Sequence, residues 1–237
     1  EAILSGDKIS PEPEGDEKLE ACQTEYLTEL LQLYQKSTVS NAETRGLDTD
    51  FARQTYVDTK LDQTVEELIR SGDLSLVLLT GNPGDGKTAF LQQLALRLGV
   101  SVDELQGERE WQTTLDNGWE VACNLDGSAA IGDMSSDEVL DRFLCSFFDG
   151  PPEGETRLVA INDGRLLEWI EVTHEADGRW LFEALKSAVG LTVTDENASD
   201  AITIIDLNDR SLVGSANGVA ATDRPSVERM IDSLVEG

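Results

Sequence analysis

A three-layer α/β/α sandwich around a mostly parallel sheet is the fold class that this 237-residue chain predicts. Three observations carry the expectation. Short apolar runs at 74–80 (LSLVLLT), 157–162 (RLVAIN) and 201–207 (AITIIDL) are long enough for strands and too short for helices. Between them lie segments whose apolar residues recur at helical spacing, and alternating strands and helices imply parallel pairing with helices on both faces. The third observation is a glycine-rich stretch, residues 81–88, set between the first run and the helical segment after it.

Taken in order, residues 1–17 carry Pro11, Pro13 and many charges, and read as a flexible linker. From 18 to 36, Leu19, Cys22, Tyr26, Leu27, Leu30, Leu31 and Tyr34 share one face of an amphipathic helix. A polar bridge leads to a short helix marked by Leu61, Val65, Leu68 and Ile69, which stops at Ser71-Gly72. Residues 18–70 thus form a helical leader and lead-in segment, and 71–210 the α/β core.

Within the core, 74–80 is the first strand and 88–98 (TAFLQQLALRL) a helix that ends at Gly99. Residues 120–125 (EVACNL) make a second strand. Ser135 with Glu138 is a capping-box pattern that opens a helix with Val139, Leu140, Phe143, Leu144 and Phe147 on its core face. The breaker GPPEGE precedes a third strand at 157–162. Helices are expected around 165–171 and 176–189, then a fourth strand at 201–207. Pro225 opens a last helix at 226–235, so that 211–237 is a C-terminal helical piece. The N-terminus has no Met, and both ends are expected to be cuts through a longer chain.

The charge balance narrows the function classes. With 47 Asp+Glu against 18 Lys+Arg the net charge is −29, which opposes nonspecific nucleic-acid binding and docking on an anionic membrane. No apolar stretch reaches the roughly 20 residues of a membrane helix, and no signal peptide is evident. Cys22, Cys123 and Cys145 lack metal-ligand spacing and read as reduced, mostly buried thiols of a cytoplasmic protein. The acidity fits either a surface kept hydrated at high salt or an ordinary acidic module.

The chemistry sits in Gly81-Asn82-Pro83-Gly84-Asp85-Gly86-Lys87-Thr88, a full match to G-x-x-x-x-G-K-[ST] between a buried strand and a helix. The glycines let consecutive N–H groups turn into one cavity, an anion nest at a helix N-terminus that runs on to Ala89. Lys87 would reach the β- and γ-phosphates of a nucleotide, and Thr88 would offer its hydroxyl to Mg²⁺. Asp85 is unfavourable beside phosphates unless it faces solvent. The guanine-reading pattern Asn-Lys-x-Asp is absent, the nearest stretch being Asn208-Asp209-Arg210, so ATP is favoured over GTP. Tyr56 and Val57 are candidate adenine contacts.

A carboxylate at a strand tip beside the loop should complete the metal side. Asp163 is placed first, because it follows what counts as the third strand. Asp206 ends the fourth, and Asp126 after the second is a weaker option. No Asp-Glu pair stands at these tips, so a carboxylate base for water activation is not obvious. Asn162 and Asn208 are positioned to orient water or sense the γ-phosphate, and Arg210 and Arg224 to act as arginine fingers; each has an equally simple reading as a turn or surface residue. His174 stands alone, which excludes a site built on two histidines.

The pairing of TGNPGDGKTAFLQQL with AINDGRLLEW resembles a group of large prokaryotic P-loop ATPases, in which a strand ending Ile-Asn-(Glu/Asp)-Gly-Arg-Leu follows the loop by about eighty residues. These are similar to the STAND/AAA-like NTPases of multidomain signalling and phage-defence proteins. The upstream YLTELLQLY…NAETRGLDTDFARQTYVDTKLD resembles the segment joining a serine/threonine kinase domain to such an ATPase in BREX or phage-growth-limitation systems. The resemblance spans about residues 24–210. It implies a P-loop NTPase fold, with Asn162, Asp163 and Arg165 on the nucleotide-side strand tip and Asp163 where Glu is common. The chain itself has no H-R-D or D-F-G. The expected function is an ATP-binding, ATP-hydrolysing regulatory or motor module with ATP and Mg²⁺ as cofactors. Its partners would be other domains or subunits, with oligomerisation possible. The alternatives are a small-molecule kinase or a non-hydrolysing nucleotide-binding module.

Overall fold

The structure is a computed structural model that describes residues 46–173, 179–191 and 201–209, all of them within one compact unit. The expected linker at 1–17, the helices at 18–36 and 226–235, His174, Arg210 and Arg224 lie outside the described residues.

Five strands form one sheet: β1 (Leu76–Thr80), β2 (Glu110–Thr114), β3 (Glu120–Asn124), β4 (Glu155–Ala160) and β5 (Ile202–Asp206), in the spatial order β2-β3-β4-β1-β5. All pairings are parallel except β2 with β3. The fold is therefore α/β with a mostly parallel sheet, and β1 lies between two neighbours. Every residue of β1 is buried, as its unbroken apolar run requires.

Helices cover both faces. On one side, α2 (Lys60–Ser71) and α3 (Lys87–Arg97) place Val65, Ile69, Phe90, Leu91 and Leu94 against Val77 and Leu79 of β1 and Leu158 of β4. On the other, α5 (Ser136–Leu144), α6 (Asp163–Glu168) and α7 (Trp180–Ala188) bring Leu140, Phe143, Leu166, Phe182 and Leu185 against Leu76, Leu78 and Val159. Alternate residues of one strand thus feed two separate cores. Two short helices, α1 (Asp50–Thr55) and α4 (Val102–Leu105), complete the set.

The helix limits follow their capping chemistry. Gly72, at φ +80°, ends α2 with its N–H on the Ile69 carbonyl, while Asp73 N–H reaches Leu68. The Ser135–Glu138 capping box opens α5 as expected, and Val139, Leu140, Phe143, Leu144 and Phe147 are all buried. A π-helical turn, Trp169–Thr173, extends α6.

Two expectations need correction. The sequence predicts four strands; the structure has a fifth, β2, which pairs antiparallel with β3 through a tight hairpin. Leu115 N–H donates to Trp119 O and Gly118 takes φ +83° at its last loop position. The second concerns the thiols: Cys123 is buried, and burial pushes its pKa well up, but Cys145 is exposed.

Candidate functional site

The sheet puts the chemistry at one edge. After β1 the chain passes into α3 on one face, and after β4 into α6 on the other. Connections that diverge from neighbouring parallel strands leave a crevice beyond their carboxyl ends, the usual ligand position in open α/β sheets. The loop Gly81–Gly86 leaves β1 at that crevice. Thr80 pairs with Asp206 at the tip of β5, Leu79 pairs with Ala160 near the tip of β4, and Asn124 of β3 stands opposite Val159. Asp126, Asp163 and Asp206 are therefore all at strand ends on the same side as the loop.

The loop needs its glycines. Gly81, Gly84 and Gly86 have φ of +135°, +94° and +88°, conformations costly to any residue with a Cβ. Gly86 in the left-handed region is the N-cap of α3, which starts at Lys87. The Lys87 ammonium turns back over the loop and donates to Gly81 O at 2.7 Å and Asn82 O at 2.9 Å. Partial burial lowers its pKa, against the opposing pull of Asp85, Asp163, Asp126 and Asp206 in that order.

Asp85 is turned onto its own loop. It is half-buried, and its carboxylate accepts the Asn82 backbone N–H, while Asp85 N–H donates to Asn82 O at 3.2 Å. Asn82 Nδ2 in turn donates to Asn208 Oδ1 at 2.6 Å, and Asn208 N–H donates to Asp206 Oδ1 at 2.8 Å. The loop is thereby tied to the end of β5. Pro83 and Gly84 form its exposed crest.

The Thr88 hydroxyl lies 3.5 Å from Leu125 O, and half-buried Asp126 is the next residue in the chain. Asp126 Oδ1 accepts from Ser128 N–H at 3.2 Å, and Gly127 N–H donates to Ala160 O at 2.7 Å. A Cβ on Gly127 would stand 2.9 Å from Val159 Cγ1 and 3.0 Å from Leu140 Cδ2, so a larger residue would have to displace these side chains for the segment to lie on β4. Asp163 is exposed at the first position of α6, after its N-cap Asn162. Counting β2 alters the chain-order argument: Asp163 follows the fourth strand, and the third is followed by Asp126.

Other expected residues have different employment. Arg165 bonds Ser136 Oγ (2.8 Å), Asp137 and Glu168, joining α6 to the start of α5. The Tyr56 hydroxyl donates to Asp62, which is fully buried. The lead-in residues that touch α3 behind the loop include Leu47, whose N–H donates to Gln92 Oε1, and Asp48, which accepts from Gln92 Nε2. Gln92, buried on α3 four residues after Thr88, gives no signal in the sequence because a polar residue in a helix reads as surface.

The donor set suits a phosphate group: an ammonium and a glycine-rich turn at a helix N-terminus. For a divalent cation it is incomplete alone. Among the described residues no group of three or more His, Cys, Asp or Glu is placed to hold a metal ion. A hydroxyl and one carboxylate fit a Mg²⁺ whose remaining ligands come from phosphate and water. None of the described helices is long and apolar enough to cross a membrane.

Comparison of the chain with protein-family models, curated proteins and solved structures finds no match in any of the three.

Proposed function

We propose that the chain is a MgATP-binding module of the P-loop NTPase kind, which hydrolyses ATP as a switch or motor within a larger multidomain protein of defence or signalling. One observation carries this reading: a complete G-x-x-x-x-G-K-[ST] loop leaves the carboxyl end of the buried strand β1, with Lys87 folded over its mouth.

In this reading, the loop amides from Gly81 to Ala89 surround the phosphates and Lys87 neutralises the β- and γ-phosphate oxygens. Bound Mg²⁺ would offset phosphate charge and help orient the terminal phosphate for attack by water. Thr88 and Asp126 would hold the ion, since the Thr88 hydroxyl reaches the carbonyl of Leu125, the residue before Asp126, while Asp163 acts on Lys87 from the end of β4. Asn162 and Asn208 follow β4 and β5, the two strands that flank β1, where they would orient water or the outermost phosphate.

The test is thermal unfolding with and without MgATP, in wild type and Lys87→Ala. A ligand at 100 times its dissociation constant stabilises by about 2.7 kcal/mol, which raises Tm by roughly 5–10 °C in a domain of this size. The shift is expected in wild type and lost in Lys87→Ala. Release of free phosphate then distinguishes hydrolysis from transfer to a small-molecule acceptor and from binding alone. A folded wild type that shows no shift overturns the reading.

A further inference from the structure

The site opposes one lysine with four carboxylates, and one of them belongs to the loop itself. We propose that Asp85 adds, from within the loop, to its selectivity for a metal-charged polyphosphate over the same anion without its metal. The proposal rests on the nucleotide-binding reading above and deepens it.

Asp85 holds two positions at once. Its carboxylate accepts the Asn82 N–H and lies 2.9 Å from where a Cβ on Gly81 would stand, so it braces the first turn of the loop. It is also the carboxylate acting most strongly on Lys87, ahead of Asp163, Asp126 and Asp206. The brace needs an acceptor and does not need a charge; a neutral oxygen would bond the same N–H. The charge has a separate consequence, because it sits beside the ammonium and amides that a phosphate would use.

Repulsion between Asp85 and a bound anion scales with the anion's charge. Free ATP carries about −4 and MgATP about −2, so each carboxylate near the loop disfavours the free form about twice as strongly on a logarithmic scale. Asp126, Asp163 and Asp206 act in the same sense from the strand ends. Asp85 is the one whose neutralisation leaves the strand-end carboxylates, and with them the metal side, in place.

The experiment is calorimetric titration at low salt with MgATP, and with ATP in excess EDTA, on wild type, Asp85→Asn, Asp85→Ser and Lys87→Ala. Unchanged ligand-free melting of the Asn and Ser variants establishes that the loop brace survives. With a roughly threefold gain in MgATP affinity, the gain for metal-free ATP is about tenfold, the doubled logarithm. Both gains shrink as salt is raised. Equal affinity of wild type and both Asp85 variants overturns the proposal, as does an equal gain for the two ligand forms. In either case binding that Lys87→Ala abolishes leaves the nucleotide reading standing. Absence of MgATP binding in wild type and all variants overturns both.

Discussion

Asp126 and Asp163 differ in what surrounds them. Asp126 is half-buried next to Leu125, whose carbonyl is the near neighbour of the Thr88 hydroxyl, and the close packing of Gly127 on β4 fixes its backbone. Asp163 is exposed at the start of α6. A metal-side acid must keep a fixed distance to the hydroxyl that shares its ion, and a group on a pinned segment does so better than one on a helix's first turn. Asp126→Asn should therefore lower the advantage of MgATP over metal-free ATP by about tenfold or more, whereas Asp163→Asn should change it only a few-fold. Titration of the two variants with and without Mg²⁺ checks this, and the reverse ranking would reinstate Asp163. At this scale the glycine-rich loop was legible because its residues are contiguous. The choice of carboxylate was not, because it turns on which strand end lies beside Thr88, a fact of tertiary structure.

Between elements, α2 and α3 are joined by a charged clamp. Glu66 accepts from Arg70 Nε at 2.9 Å and from Arg97 Nε at 2.7 Å, and Arg97 also reaches Asp58 at 3.1 Å. Burial pushes the Glu66 carboxyl up, but the hydrogen bonds and charges of the two arginines outweigh it and leave the pKa below its ordinary 4.5. A carboxylate held below its unfolded value stabilises the fold above that value, and the contribution is lost as pH falls through the folded pKa. The Tm difference between wild type and Glu66→Gln should thus be constant from pH 7 to about pH 5 and close below about pH 4.5. A difference that persists unchanged to pH 3 would remove Glu66 ionisation as its source. This clamp holds the helix carrying Lys87, so its loss is felt at the loop as well. Elements with strong local signals were readable in the sequence: the capping box of α5, the Gly72 stop of α2, the apolar β1. Strand β2 was not, because EWQTT is an edge strand in which only Trp111 is buried, and a single buried residue leaves little pattern. Its one signal was Asp116-Asn117-Gly118, a hairpin turn between Thr113-Thr114 and Trp119.

Across the whole chain, topology and charge pull in different directions. The order β2-β3-β4-β1-β5 gathers the strand ends that carry Asp126, Asp163 and Asp206 around one loop, so a molecule of net charge −29 concentrates negative charge at the proposed anion site. The described surface partly offsets this by pairing its arginines: Arg53, Arg70, Arg97, Arg142, Arg157 and Arg165 all contact a carboxylate. With so few cations, most acids still face one another across water, and such repulsion destabilises a compact state. Added salt should accordingly raise Tm, since screening weakens the net repulsion over a longer range than it weakens contact pairs. Screening alone predicts a rise that levels off by about 0.5 M, where the Debye length has shortened to roughly 4 Å. A surface adapted to high salt predicts a rise that continues into the molar range and differs between KCl and NaCl, because hydration of particular ions then contributes. Thermal scans of the same sample from about 0.05 M to about 3 M, well past the point where screening levels off, in both salts decide which origin the acidity has. A Tm that falls from the lowest salt onward would mean that the arginine–carboxylate pairs outweigh the excess charge.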